Sequence, residues 1–257
     1  MSKKGTLKFE DFGTTMPVTD PYVPGPPSFS RGESFRITFE MDYESVKHRL
    51  PEELEFLNDP PTGTLLCANA IFVSDATPFL EANLIYHVTY KGKPFNYITN
   101  VFLNEGEPLV AGREVYGYPK KLADMEFYWD KGQICMTVDR PRGFRIFSAS
   151  VRTIAPKQPD PKDYRDVLLL KVIPSPIIGD PPQVCQLIGL PTNVGPEGLP
   201  KATPESFECS GTIAWGAVTA EDPWGETKIT KILNAFYTKA TGFGSLASGY
   251  IVHDYLK

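Results

Sequence analysis

The amino-acid sequence predicts a mainly β fold of the α+β class, in which an antiparallel sheet curls into a barrel around a central pocket and a few helices lie at the periphery. Two observations predict this fold. Segments with strand-like alternation follow one another along most of the chain, and short connections such as Asp130-Lys131-Gly132 separate them. Short connections favour antiparallel pairing, and a sheet of many strands must curl or close to hide its edges. A barrel is therefore expected.

The individual elements follow from periodicity and from turn-forming residues. From Phe35 to Met41 apolar and polar residues alternate strictly, which predicts a half-buried strand. Asp42 is placed to cap a short helix that ends at Pro51. Residues 227–240 carry apolar residues at helical spacing and predict the best-defined helix of the chain. Further strands are predicted at residues 64–73, 82–90, 95–103, 109–112, 125–129, 134–139, 144–151 and 167–173.

Length and composition favour one domain. A chain of 257 residues can form a sizeable core, and no linker-like segment divides it, so we expect a single domain over residues 1–257. Prolines cluster between residues 13 and 32, and residues 1–32 are therefore assigned to an extended arm that lies over the surface or against a neighbouring subunit. We expect a homo-oligomer.

Charge and hydropathy exclude several classes of partner. The chain has 26 Lys and Arg against 31 Asp and Glu, with a formal net charge of -5, so neither nucleic acid nor an anionic membrane is expected as a partner. The amino-terminal segment lacks the apolar core of a secretory signal, and no stretch approaches the about 18 apolar residues of a membrane span. We expect a cytoplasmic protein.

Cysteine and histidine spacing gives no sign of a disulfide framework or a metal site. The four cysteines are scattered without a Cys-x-x-Cys pair, which fits free thiols in a reducing compartment. The three histidines form no His-x-x-x-His or His-Glu-x-x-His spacing, so no metal is expected.

The most informative segment is Gly-Arg-Glu-Val-Tyr-Gly-Tyr-Pro-Lys-Lys-Leu at residues 112–122. Pro119 has a fixed φ and no backbone donor, so it limits where the side chain of Lys120 can point. A Lys-Lys pair is most often a solvated surface feature, but the apolar and aromatic neighbours of this pair favour a buried lysine. A desolvated amine, or one beside a second cation, is more readily neutral and then attacks carbonyl groups. The segment therefore indicates Schiff-base catalysis.

The pattern Gly-Arg-Glu-x-x-x-Tyr-Pro-Lys-Lys-Leu resembles the acetoacetate decarboxylase superfamily. Residues 29–42 are similar to the family's first strand, residues 168–174 to its central strand and residues 252–257 to its carboxy-terminal strand. The resemblance covers nearly the whole chain and implies a cone-shaped barrel. It also implies that Lys120 forms an imine with the substrate and that no metal or organic cofactor is required.

The resemblance implies roles for further residues. Lys121 either tunes the charge of Lys120 or forms a structural ion pair, and Glu81 takes the place of a pocket glutamate that acts as acid or base. The family's second pocket glutamate falls on Asn69, which cannot exchange a proton at neutral pH. The arginine that binds the substrate carboxylate falls on Gly32, so Arg31, one residue earlier, is the candidate for that role.

Tyr116 and Tyr118 flank the lysine pair and are candidates for lining the pocket, although core packing is the commoner role of such residues. The leading hypothesis is a cofactor-free Schiff-base lyase that decarboxylates a small β-keto acid similar to acetoacetate. The departures at Asn69 and Arg31 leave two alternatives open: an aldolase-dehydratase that acts on an α-keto acid such as pyruvate, and a non-catalytic barrel that binds small carbonyl compounds. The retained second lysine favours the decarboxylase.

Overall fold

The computed structural model describes residues 4–8, 10, 28–72, 78–158, 160, 165–191, 203–245 and 248–257. Within these ranges the chain is mainly β, as predicted. The strands are β1 (Ser28–Met41), β2 (Glu55–Phe56), β3 (Thr62–Phe72), β4 (Phe79–Tyr90), β5 (Lys93–Leu103), β6 (Lys120–Leu122), β7 (Asp124–Asp130), β8 (Gln133–Asp139), β9 (Arg145–Pro156), β10 (Val167–Ile173), β11 (Val184–Leu190), β12 (Thr203–Trp215), β13 (Ile229–Ser245) and β14 (Tyr250–Asp254). The helices are α1 (Tyr43–Val46) and α2 (Gly106–Ala111), and a π-helical turn (Gly112–Tyr116) follows α2.

All strands belong to one mixed sheet rather than to a closed antiparallel barrel. The order across the sheet is β14-β11-β10-β5-β4-β3-β1-β13-β12-β9-β8-β7, with β2 also paired to β4 and β6 to β5. β5 pairs in parallel with both β10 and β6. Within the described ranges the two end strands, β7 and β14, are not hydrogen-bonded to each other, so the predicted closure is wrong. The long strand β13 connects β1 to β12 within the sheet.

The helix predicted at residues 227–240 is a strand. β13 lies between β1 and β12; it pairs with β1 along most of its length and with β12 over residues 235–241. Its register against β1 shifts between Ile232 and Asn234, which leaves Leu233 as an extra residue. Such a bulge breaks strict alternation, and the apolar spacing then imitates the period of a helix.

Two other predicted elements differ from the structure. Residues 109–112, expected as a strand, lie in α2 and in the π-helical turn, and Pro108 fits the first turn of α2 because a backbone donor there has no helical partner. The cap of α1 is confirmed, since the backbone N–H of Ser45 donates to Asp42 Oδ1 at 3.1 Å. The helix is shorter than expected and continues as a 3-10 turn (Lys47–Arg49).

Two apolar clusters lie on opposite faces of the central strands. The large core is represented by Leu65 and Leu84, and the small core by Ile85 and Val101. Side chains of a strand alternate between faces, so in β4 the even-numbered residues face the large core and the odd-numbered residues face the small core. The odd-numbered Glu81 and Asn83 therefore share the face of the small core.

Residues 1–32, predicted as an arm, lie outside the described part of the chain except for 4–8, 10 and the start of β1 at Ser28. No helix among the described residues is long and apolar enough to cross a bilayer. The cysteines are all free thiols: Cys67, Cys135, Cys185 and Cys209.

Candidate active site

Lys120 opens the short strand β6, which pairs in parallel with β5 so that Lys120 lies opposite Val101. The residue is only 7% exposed, which confirms the expected burial. A lysine is almost never buried this deeply unless its ammonium has a partner. The surroundings of the Nζ atom therefore define the site.

The Nζ atom of Lys120 is surrounded by one carboxylate, one carbonyl and two aromatic rings. It lies 2.7 Å from Glu81 Oε2 and donates a hydrogen bond to the Pro108 carbonyl at 3.1 Å. The ring centroids of Tyr118 and Phe79 are 5.1 and 5.6 Å away. Both rings stabilise a cation at this position and keep water from it. The same surroundings suit a protonated imine nitrogen.

The segment before Lys120 is held in a tight turn. Gly117 has a φ of 86°, in the left-handed region that glycine tolerates. A β-carbon at Gly117 would lie 2.6 Å from the Cα of Lys171 in β10, so the two backbones pack in direct contact. Lys171 Nζ donates to the Val115 carbonyl at 2.9 Å, and burial lowers the pKa of Lys171. β10 therefore anchors the turn from which Lys120 projects.

Glu81 stands in β4 with its side chain toward Lys120. Asn83 Nδ2 donates to Glu81 Oε1 at 3.0 Å. Glu81 Oε2 is buried and accepts no hydrogen bond from the described residues, and its contact with Lys120 has the distance of an ion pair without the angles of a hydrogen bond. A carboxylate this close to the amine can accept its proton and return it.

Tyr118 and Tyr116 pack against the small core beside the lysine. Their rings meet edge to face with centroids 6.4 Å apart. Burial, reinforced by the negative charge of Glu81 and by Tyr116, raises the pKa of Tyr118 well above its ordinary value. The hydroxyl of Tyr118 therefore stays protonated across the working pH range.

Lys121 points away from Lys120, because successive residues of a strand face opposite sides. Its Nζ atom lies 3.1 Å from Asp222 Oδ1 and also donates to the Glu221 carbonyl. Asp222 is buried and binds Arg140 Nε at 2.9 Å as well. Of the two roles left open by the sequence, this geometry matches the structural ion pair.

Asn69 does not lie at the lysine, which corrects its expected place beside Glu81. β3 and β4 pair with Ala68 opposite Glu81, so Asn69 faces the large core. Its Nδ2 atom donates to Glu33 Oε1 at 3.4 Å, and Glu33 Oε2 accepts from Tyr237 at 2.6 Å. The residue of β3 that shares the face of Glu81 and lies opposite Asn83 is Leu66.

Arg31 is described only through its backbone, which lies in β1 opposite Ile71. Its role in binding a carboxylate stays a prediction. Gly32, the position to which the resemblance assigned an arginine, lies opposite Ala70. The next residue, Glu33, belongs to the cluster with Asn69 on the face of the large core.

Three contributors to the site were missed from the sequence: Phe79, Asn83 and Pro108. Phe79 and Asn83 each lie two residues from Glu81 in β4, so the period of a strand could have identified them once Glu81 was chosen. The Pro108 carbonyl carries no signal in the sequence, because any residue has the same group. The arrangement combines a buried amine, an adjacent carboxylate and aromatic walls, which suits imine formation with a carbonyl compound.

Comparisons with known proteins find similarity over most of the chain. The family model of acetoacetate decarboxylase matches residues 15–256. The protein "Acetoacetate decarboxylase 2" of Mesorhizobium japonicum is 28% identical over 260 residues, which cover 94% of this chain and 89% of the relative.

Solved structures share the fold. Acetoacetate decarboxylase from Legionella pneumophila superposes with a TM-score of 0.78, covers 100% of both chains and is 23% identical. The enduracididine biosynthesis enzyme MppR, complexed with the condensation product of pyruvate and imidazole 4-carboxaldehyde, superposes with a TM-score of 0.77 at 16% identity, over 99% of this chain and 100% of MppR.

Proposed function

Because the chain belongs to the acetoacetate decarboxylase family, we propose that it is a Schiff-base lyase that decarboxylates a small β-keto acid through an imine on Lys120. The observation that carries the proposal is the buried pair of Lys120 Nζ and Glu81 Oε2, 2.7 Å apart. In this pair the carboxylate accepts the ammonium proton, and the neutral amine becomes a nucleophile.

The reaction begins when the neutral amine of Lys120 attacks the keto carbon. A carbon–nitrogen bond forms, the hydroxyl group so produced takes the proton held by Glu81 and leaves as water, and the nitrogen becomes a protonated imine. The bond between the carboxylate and the neighbouring carbon then breaks, and its electron pair moves toward the imine nitrogen, so carbon dioxide leaves and an enamine remains. The enamine carbon takes up a proton, and water hydrolyses the imine to release the ketone and regenerate the amine.

The residues around the amine support each stage. Glu81 takes the proton from the ammonium group and is placed to return one to the enamine. Phe79 and Tyr118 stabilise the cationic imine through their ring faces and keep bulk water from it. The substrate class we propose is a small keto acid similar to acetoacetate.

A second candidate is an aldolase-dehydratase that uses the same lysine on an α-keto acid such as pyruvate. Support comes from the fold shared with MppR, whose structure holds a condensation product of pyruvate. An enamine formed on Lys120 from pyruvate would attack an aldehyde instead of taking up a proton. The lysine chemistry is common to both candidates, and the substrate separates them.

We also propose that the protein assembles as a homo-oligomer. Large apolar side chains are exposed near one edge of the sheet, among them Ile177 at 63%, Ile178 at 102% and Ile251 at 54%. Exposed apolar surface of this kind commonly marks a protein interface. Light scattering coupled to size exclusion will give the mass in solution, and a monomer at micromolar concentration would refute this proposal.

The function is tested by trapping the imine. The protein is incubated separately with acetoacetate, with bulkier β-keto acids and with pyruvate in the presence and absence of an aldehyde, then reduced with borohydride. Mass spectrometry should find the adduct on the peptide that contains Lys120, and gas release should accompany the β-keto acids. Lys120→Arg should abolish both signals, because a guanidinium stays protonated.

Lys231→Arg, which changes a lysine that is 65% exposed in its side chain, is the matched control and should trap like the unmodified protein. If adducts form with pyruvate and an aldehyde but not with any β-keto acid, the result would favour the aldolase-dehydratase. No adduct with any keto acid would refute both candidates and favour the alternative of a non-catalytic protein that binds small carbonyl compounds.

A further inference from the structure

Asn83 is buried in a place that does not favour an amide. The residue is 2% exposed, and its partners across the two neighbouring strands are Leu66 and Val101. Neither of these side chains has a group that can form a hydrogen bond. Burying an amide without a partner costs about 1 to 3 kcal/mol by mutational measures. The hydrogen bond from Asn83 to Glu81 therefore offsets a cost that leucine at this position would avoid.

The direction of this hydrogen bond distinguishes the two oxygens of Glu81. Asn83 Nδ2 donates to Oε1 at 3.0 Å, whereas Oε2 lies 2.7 Å from Lys120 Nζ. Oε1 is thus occupied by a donor that it keeps in either protonation state, because a neutral carboxylic acid still accepts at its carbonyl oxygen. Oε2 is left as the oxygen that can exchange a proton.

We propose that Asn83 is a positioning residue, which holds Glu81 so that Oε2 takes the proton from Lys120 and later delivers a second proton to the reacting carbon. This inference rests on the proposed imine function of Lys120. In the first transfer the N–H bond of the ammonium group breaks and an O–H bond forms on Oε2. That proton leaves with the carbinolamine hydroxyl group as water, and solvent then protonates Oε2 again. In the second transfer this new O–H bond breaks, and the proton moves to the enamine carbon, while Glu81 returns to the carboxylate.

A positioned oxygen matters because proton transfer needs a donor and an acceptor within hydrogen-bond reach, about 3 Å apart. Without Asn83, the carboxylate of Glu81 can rotate and present either oxygen or neither. Imine formation should continue, because the amine of Lys120 and the apolar side chains around it are unchanged. We therefore expect the loss to fall on the steps that move protons, and not on substrate binding.

The test uses Asn83→Leu, which removes the amide and retains the volume between Leu66 and Val101. Steady-state kinetics should show kcat reduced by about 10-fold or more, with KM changed by less than about threefold. Thermal unfolding should stay close to that of the unmodified protein. Borohydride trapping at Lys120 should continue, and the solvent deuterium isotope effect on kcat should rise.

Two further variants make the result specific. Asn83→Ser retains a short hydrogen-bond donor, so its kcat should be higher than that of Asn83→Leu. The serine variant also tests the role of Asn83 if the leucine variant does not fold. Ser206→Ala is the control, because Ser206 is another buried polar residue of the sheet, 4% exposed and bonded to Thr238 at 3.1 Å. It should lower stability without lowering kcat.

An Asn83→Leu protein that folds with unchanged kcat would overturn the inference and leave the proposed function intact. Equal losses of kcat in the leucine and serine variants would also overturn it. A wild-type protein that traps no keto acid would overturn both.

Discussion

The side chain of Lys120 packs directly against the Cα of Gly112, in the space that a β-carbon would occupy. A β-carbon at Gly112 would fall 2.6 Å from Cε and 2.7 Å from Cδ of Lys120, which is closer than β-carbons approach other atoms. The glycine belongs to the π-helical turn, and its carbonyl accepts from the Tyr118 backbone at 3.0 Å. The position of the amine therefore depends on the absence of a side chain eight residues earlier.

Replacing Gly112 by alanine should displace the Lys120 side chain by about 1 Å. A misplacement of that size can lower turnover about 100-fold. Stability should change little, because the far end of a lysine can move. Gly106→Ala is the control, since a β-carbon there meets no atom within 4 Å. Equal turnover by the two variants would show that Lys120 tolerates the shift.

Lys121→Met should leave imine formation intact. Lys121 lies on the opposite face of β6 and binds Asp222, which keeps Arg140 as a second partner. The free energy of unfolding should fall by about 1 kcal/mol, the upper range for a partly exposed ion pair. Trapping assays and denaturant titration measure the two effects. An adduct found on Lys121 in the unmodified protein would show that Lys120 is the wrong lysine.

Asn69→Glu should lower stability without changing the substrates that are turned over. The new carboxylate would lie beside Glu33, to which Asn69 now donates at 3.4 Å, and on the sheet face opposite Glu81. Loss of a hydrogen bond and repulsion between like charges should lower the free energy of unfolding by about 1 to 3 kcal/mol. Increased acetoacetate turnover in this variant would mean that residue 69 reaches the site.

Histidine 87 should make the protein less stable as the pH falls from about 6.5 toward 3. Burial, with smaller effects of Arg165 and Arg36, lowers the pKa of His87 from 6.5 to about 3. Below 6.5 the unfolded chain binds a proton that the folded protein excludes, so the contribution of His87 is fully present above pH 6.5. Between pH 6.5 and pH 3 the contribution of His87 to the free energy of unfolding falls by about 1.4 kcal/mol per pH unit.

The control is His87→Gln, which lacks the titrating ring. Denaturant titrations at pH 4 to 8 should show a shallower loss of stability for this variant than for the unmodified protein. If the stability of the two proteins falls equally with pH, the lowered pKa of His87 is contradicted. In the folded protein the two ring nitrogens lie 2.9 Å from Thr62 Oγ1 and 3.0 Å from Thr64 Oγ1, so neutral histidine has both partners it needs.

The sequence was sufficient to predict the burial of Lys120, because Pro119 and the aromatic neighbours carry local information. It also located most strands, since alternation is a local property. It misplaced Asn69, because the side of a strand on which a residue lies reverses with each one-residue change of register. The sequence of residues 73–78 contains no feature that fixes that register.

The open edges of the sheet and the partner of Lys121 could not be predicted for a different reason. Asp222 is 101 residues from Lys121 in the chain, and no pattern near either residue indicates the pairing. Similarly, the bulge at Leu233 depends on how β13 meets β1, so the residues of β13 alone imitated a helix.

The parallel pairing of β6 and β10 with β5 has a consequence for how the chain folds. The pairing of β5 with β10 closes a chain segment of about seventy residues. The ion pair between Lys121 and Asp222 closes a segment of 101 residues. Contacts of this kind form slowly, because the entropy of closing a large loop is lost before any contact is gained. During refolding the antiparallel hairpins should therefore acquire protection from hydrogen exchange first, and the ability to trap a keto acid should return last.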